Sequence, residues 1–148
     1  MLSIDLCSTI QYNTTIALAQ LYTDGSKMGN EVAAAVVHEN VTKTTRLPNK
    51  SSIFTAELHA ISLALAVIYR SKEKNFIIFS DSMSSLEAIS GFKLEIDIVQ
   101  NIIKNYTHLD NSGKPIILCW IPSRVNIRGS ERADTAAKIS SFVARVVI

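Results

Sequence analysis

The stretch Asn75-Phe76-Ile77-Ile78-Phe79-Ser80-Asp81-Ser82 places four large apolar residues in a row, then a serine, then an acid. A short run without alternation suits a central strand covered on both faces, because each side chain meets protein whichever way it points. The run ends on Asp81, and the carboxyl end of a central strand is where open α/β sheets place ligand sites. Upstream, Ile16 to Thr23 reads as a strand and Glu31 to His38 as its antiparallel partner. Asp24-Gly25 and Gly29-Asn30 supply turn residues between them. Val41 to Leu47, rich in β-branched residues, is a third strand that stops before Pro48. Thr55 can cap a helix running to about Ser71, with Leu58, Ile61, Leu65 and Ile68 at helical spacing. Downstream, Ser84 and Glu87 have capping-box spacing for a helix ending near Gly91. Leu94 to Tyr106 reads as another helix, with Ile96, Val99, Ile103 and Tyr106 on one side. Pro115 to Ile121 forms a fifth strand, and a loop from Ser123 to Gly129 leads to a last helix capped by Ser130. The order β-β-β-α-β-α-α-β-α predicts an α/β domain with a mixed sheet.

A chain of 148 residues, 47% hydrophobic, can bury one real core. Its net charge of +2 neither demands nor excludes a nucleic-acid partner, since distribution matters more than the sum. Cys7 and Cys119 lack metal-like spacing and cannot build a disulfide framework, which favours a reducing compartment. The longest apolar stretch, Ile61 to Tyr69, falls short of the roughly 20 residues of a membrane span, and the N-terminus has Asp5 rather than a basic leader region. Residues 1–20 are expected to be a lead-in, and residues 21–148 one soluble, monomeric domain inside the cell, cytoplasmic or nuclear, with no membrane partner. Trp120, inside a strand, reads as core packing. His38, His59 and His108 are isolated and carry no ligand role.

Four acids have specific contexts: Asp24 in Tyr22-Thr23-Asp24-Gly25-Ser26, Glu57 in Thr55-Ala56-Glu57-Leu58, Asp81 after Phe79-Ser80, and Asp134 in Gly129-Ser130-Glu131-Arg132-Ala133-Asp134. Singly, Asp24, Glu57 and Asp134 are bland, whereas Asp81, at the carboxyl end of a central strand, is less easily dismissed. Asp-Gly is a generic turn signal, and an acid at a helix start gains a few tenths of a kcal/mol from the dipole. Jointly, each stands where a strand ends or a helix begins, so one fold could gather all four. Helix N-termini at Glu57 and Asp134 would help keep those acids ionised. Clustered carboxylates hold hard divalent cations, and two ions roughly 4 Å apart can clamp the attacking and leaving oxygens of a phosphodiester.

These motifs resemble the type 1 ribonuclease H family, most closely the domains carried by eukaryotic non-LTR retrotransposons. The resemblance rests on Tyr22-Thr23-Asp24-Gly25-Ser26-Lys27, Ala56-Glu57-Leu58 with Ala60-Ile61, Phe79-Ser80-Asp81-Ser82, Trp120-Ile121-Pro122-Ser123 and the segment from Gly129 to Lys138. It implies a five-stranded mixed sheet, second strand antiparallel, with helices on both faces. It implies endonucleolytic cutting of the RNA strand of RNA–DNA hybrids with two Mg²⁺ ions, for which Mn²⁺ can substitute. The catalytic, metal-holding residues carry over as Asp24, Glu57, Asp81 and Asp134, with Asp24 shared by both ions. Substrate contacts carry over to Gly25, Ser26, Lys27 and Arg124, the 2′-hydroxyls being sensed near Gly25 and Glu57.

The chain departs from the family pattern in several places. The loop after the fifth strand usually carries histidine in Ser-His-Val-Gly, whereas here it reads Ser123-Arg124-Val125-Asn126. Arginine cannot exchange protons near neutral pH, though its fork can hold a phosphate. Ser130 replaces a common asparagine, and Ile53-Phe54 stands where many cellular members have polar amides. The short link between the helices after Asp81 leaves no room for a basic protruding helix, so hybrid affinity is expected to draw on a reverse transcriptase in cis or in trans. Lys27, Lys50, Arg124, Arg128 and Arg132 supply positive charge near the acids. A relic that binds nucleic acid with weakened cutting is the alternative. An integrase-like enzyme is disfavoured by Glu57.

Overall fold

The apolar run at residues 76–80 forms the strand at the heart of the sheet. In a computed structural model that describes residues 5–6, 18–122 and 144–146, all five of its residues are buried. The strands are β1 (Asp5–Leu6), β2 (Ala19–Met28), β3 (Glu31–His38), β4 (Val41–Leu47), β5 (Phe76–Ser80), β6 (Ile116–Trp120) and β7 (Ala144–Val146). The helices are α1 (Ile53–Arg70), α2 (Met83–Ser90) and α3 (Asp97–Asn111). Among the described residues the sheet order is β1-β7-β6-β5-β2-β3-β4. The five expected strands are its contiguous block: β5 runs parallel to β2 and β6, and β3 is antiparallel to both β2 and β4. Two short strands extend it beyond β6, β7 and then β1, both pairings antiparallel. Neither is long enough to show a period of two, and β1 lies in the stretch read as a lead-in.

One correction bears on the site. β2 does not stop at Thr23 but continues to Met28, because residues 24–28 pair in register with β3, from Asp24 opposite Ala35 to Met28 opposite Glu31. The ladder outweighs the turn preference of Asp24-Gly25, and the reversal falls at Gly29-Asn30, where Gly29 takes φ +60°. The caps also move. Ser52, not Thr55, caps α1, its Oγ accepting the Thr55 N–H at 3.1 Å. Ser82, not Ser84, caps α2, accepting the Ser85 N–H at 3.3 Å. α3 starts three residues later than expected and runs on to Asn111.

α1 buries Leu58, Ile61, Leu65 and Ile68 against Leu21, Val36 and Ile78 of the sheet. Each such side chain contributes about 1.5–3 kcal/mol by leaving water. Val99, Ile102 and Leu109 of α3 and Leu86 and Ile89 of α2 join the same cluster, so the three described helices lie on one face. The opposite face buries Ile77, Phe79, Cys119 and Ile121, and the central strands are therefore shielded on both sides. The helix expected from Ser130 lies outside the described residues. α1 is long and apolar enough by length and composition to cross a membrane. One side of it is packed on the sheet and holds the buried Glu57, which makes it a core helix. Its C-terminus is tied by Lys114, whose Nζ donates to the carbonyls of Ile68, Tyr69 and Ser71 at 3.0, 3.2 and 2.6 Å.

Candidate metal centre

Strand register brings the first two acids together. Tyr22 lies opposite Phe79 in the parallel β2–β5 pair. Their rings stack with centroids 4.8 Å apart, and the buried Thr23 Oγ1 donates to the Phe79 carbonyl at 2.8 Å. Two residues beyond each ring stand Asp24 and Asp81, which the pairing therefore sets side by side. Glu57 arrives from above the sheet. α1 crosses directly over Gly25, where a Cβ would lie 2.5 Å from the Glu57 nitrogen. Only a residue without a side chain lets the helix approach this closely.

The result is a convergent triad: ligand oxygens of Asp24, Glu57 and Asp81 all lie within 4.8 Å of one another. Asp24 is exposed, Asp81 half-buried, and Glu57 only 7% exposed. Burial pushes the Glu57 carboxyl up to about 8, the charges of Asp81 and Asp24 add to the rise, and a hydrogen bond from the Gly25 backbone opposes it. Burial likewise raises Asp24, helped by Asp81. It raises Asp81 against the pull of that residue's own backbone N–H. The sequence expectation that a helix N-terminus keeps Glu57 ionised is thus corrected. With Ser52 as cap, Glu57 lies past the first turn, where the dipole, worth about 0.3–1 kcal/mol at an exposed terminus, has faded. Desolvation and like charge win.

Glu57 Oε2 is buried and has no hydrogen-bond partner among the described residues. An orphaned, buried carboxylate oxygen beside two more carboxylates is costly by itself. A divalent cation resolves this, since it takes hard oxygen ligands and displaces the proton on binding. The residues present fit such an ion. A second group, His38, Glu39 and Glu73, also has ligand atoms within 4.8 Å. Both of its acids are exposed, and no buried oxygen is stranded there.

Gly25 is buried beneath α1, while Ser26 and Lys27 follow Asp24 along β2 and are exposed, as is Lys50 before α1. Asp134, Arg124, Arg128 and Arg132 lie outside the described residues. Ile53 is exposed and Phe54 half-buried at the start of α1, so this edge of the site is apolar. The sequence reading missed one participant. Trp120, expected only to pack, is partly buried against the core, and its Nε1–H donates to the Asp81 carbonyl at 3.2 Å.

The RNase H family model matches residues 17–141, most of the chain. The chain belongs to the RNase H family. A comparison with curated proteins returns no match. In this RNase H domain the matched region includes all three converging acids and also Asp134. The family typically uses divalent cations, and the triad could hold one.

Proposed function

We propose that this domain cuts the RNA strand of RNA–DNA hybrids endonucleolytically, with two Mg²⁺ ions, or Mn²⁺ in their place, held by Asp24, Glu57, Asp81 and Asp134. The observation that carries the reading is the convergence of Asp24, Glu57 and Asp81 within 4.8 Å from a strand, a helix and a strand end, in a chain of the RNase H family. When bound, the ions activate the attacking water and neutralise charge at the departing 3′ oxygen.

The chain's own residues prepare that chemistry. Asp24 is the exposed carboxylate of the three and is suited to being shared. Glu57, protonated near neutral pH in the metal-free chain, gives up its proton on loading. Gly25, Ser26 and Lys27 border Asp24 where a sugar–phosphate backbone would pass. The Lys27 ammonium adds salt-sensitive affinity, and hydrogen bonding near Gly25 and Glu57 distinguishes a 2′-hydroxyl. Arg124 supplies a phosphate contact. A groove of about 380 Å³ between α1 and α3, lined by Leu65, Tyr69, Asn105 and His108, contains none of the three acids.

The reading extends to a retroelement origin, an intracellular setting, a monomer, and cooperation with a reverse transcriptase domain. Arg124 in place of histidine favours a second reading, a domain that binds hybrids and cuts them slowly. Incubation of the purified chain with labelled hybrid and Mg²⁺, beside Asp24→Asn and matched RNA and DNA duplexes, tests both. Cleavage of the hybrid's RNA strand alone, abolished in Asp24→Asn, supports the first. Metal binding with slow or undetectable cleavage supports the second, and absence of both refutes the assignment of the site.

A further inference from the structure

We infer that Trp120 is a positioning residue for Asp81, its indole N–H fixing the turn from which that carboxylate reaches the site; the inference rests on the metal-dependent reading above. The ladder between β5 and β6 ends where Ile121 N–H donates to the Ser80 carbonyl at 2.9 Å. The next carbonyl, that of Asp81, lies beyond β5 and has no strand neighbour among the described residues. Trp120 stands opposite Ser80 in the register and supplies the donor, Nε1–H to Asp81 O at 3.2 Å. The other end of the same peptide group is held as well, since the Ser82 N–H donates to Ser80 Oγ at 3.2 Å. The Asp81–Ser82 peptide is thus clamped at both its oxygen and its nitrogen. Its orientation sets the direction in which Asp81 leaves the strand. The indole can serve as an anchor because its ring packs against the main core while its N–H faces the turn. Asp24 has its own support in the Tyr22–Phe79 stack. Asp81, one residue past its strand, depends on this side chain.

The test removes the donor and keeps the ring. Trp120→Phe is compared with a variant carrying 3-benzothienylalanine at position 120, which retains the bicyclic shape and lacks only the N–H. This second variant guards against a packing defect in the first. Calorimetric titration with Mg²⁺, without nucleic acid, is expected to show about tenfold weaker binding in both, the low end for partners that orient a ligand from behind. On hybrid, kcat should fall about tenfold at limiting Mg²⁺ and recover at high Mg²⁺, with KM for the hybrid unchanged. A purely structural role would lower melting temperature without that metal rescue. A folded benzothienyl variant whose Mg²⁺ affinity stays within twofold of wild type overturns the inference. A crystal structure of the same variant separates it from the functional reading. If the wild-type chain binds no metal, the metal reading fails, and the positioning role stands only if the Asp81 carboxylate has left the 4.8 Å group.

Discussion

Replacing Gly25 with alanine would set a methyl carbon 2.5 Å from the Glu57 nitrogen, 2.7 Å from the Ala56 carbonyl carbon and 2.9 Å from the Ala56 Cβ. Two of these three are backbone atoms of α1 and cannot swing away, so the helix start must retreat. Restoring ordinary contact at 3.4 Å needs about 0.9 Å of movement. Overpacking of this kind costs about 1–3 kcal/mol. Gly25 lies in strand backbone without a positive φ, so alanine recovers about 0.4–1 kcal/mol by restricting the unfolded chain. The net loss, about 1.3 kcal/mol at the midpoints of these ranges, should lower Tm by roughly 3–5 °C. The larger effect falls on the site, because Glu57 rides on the displaced turn. A shift of about 1 Å in a reacting group can cost on the order of 100-fold. Gly29→Ala is the matched control. It forces a φ of +60° on alanine but meets nothing within 4 Å, for a comparable loss of about 1–2 kcal/mol without moving α1. Thermal denaturation by circular dichroism, Mg²⁺ titration and hybrid cleavage are measured on both. Similar melting temperatures with metal binding and cleavage lost only in Gly25→Ala are expected. Wild-type Mg²⁺ affinity in Gly25→Ala would refute the claim that close helix approach builds the site.

The raised Glu57 carboxyl makes a signed prediction for the metal-free chain. Between its ordinary value of 4.5 and about 8 the folded state binds more protons than the unfolded one, so stability is greatest below this window and declines as pH rises through it. His59, lowered by burial, acts the other way below its ordinary 6.5. The Glu57 contribution is therefore read as the difference in Tm between wild type and Glu57→Gln, which should fall from pH 5 to pH 8. Saturating Mg²⁺ should abolish that fall, and a difference that stays flat or rises with pH in chelator would contradict it. Lys114→Ala removes a charged donor to three carbonyls and should cost about 1.5–3 kcal/mol in denaturant unfolding. It should leave Mg²⁺ affinity unchanged, because roughly 16 Å of helix separates Ile68 from Glu57. Arg124→His should raise turnover several-fold in steady-state hybrid cleavage, with Mg²⁺ affinity unaltered, if proton exchange in that loop limits the rate.

Much of this arrangement is legible in the sequence for physical reasons. Phe76 to Phe79 suits a strand covered on both faces by its shortness and lack of alternation, and the period of Leu58, Ile61, Leu65 and Ile68 marks the buried side of α1. Asp24, Glu57 and Asp81 were identifiable because each adjoins an apolar strand or the start of a helix, and because their motifs resemble one family's. What the sequence concealed depends on partners distant along the chain. Asp24-Gly25 reads as a turn locally, and only pairing with Ala34 and Ala35 keeps it extended. The high Glu57 pKa arises from burial under tertiary contacts, which a local dipole argument cannot supply. Trp120 looked like packing because its neighbours are apolar. The available signal was that a partly buried indole N–H seeks an acceptor, and Asp81 offers the first carbonyl beyond the ladder.

The parallel β2–β5 pairing has a kinetic consequence. The Thr23–Phe79 hydrogen bond closes a loop of 56 residues, so the ligand oxygens of Asp24 and Asp81 meet only after a long-range closure that is entropically costly and slow. A chain short of that pairing has no assembled site for an ion to grip. Cation binding would then act on the finished fold alone, adding about 2.7 kcal/mol when free ion exceeds its dissociation constant a hundredfold. That stabilisation would appear chiefly as slower unfolding, leaving the folding rate nearly unchanged. The lifetime of the folded chain would track the divalent cation level around it.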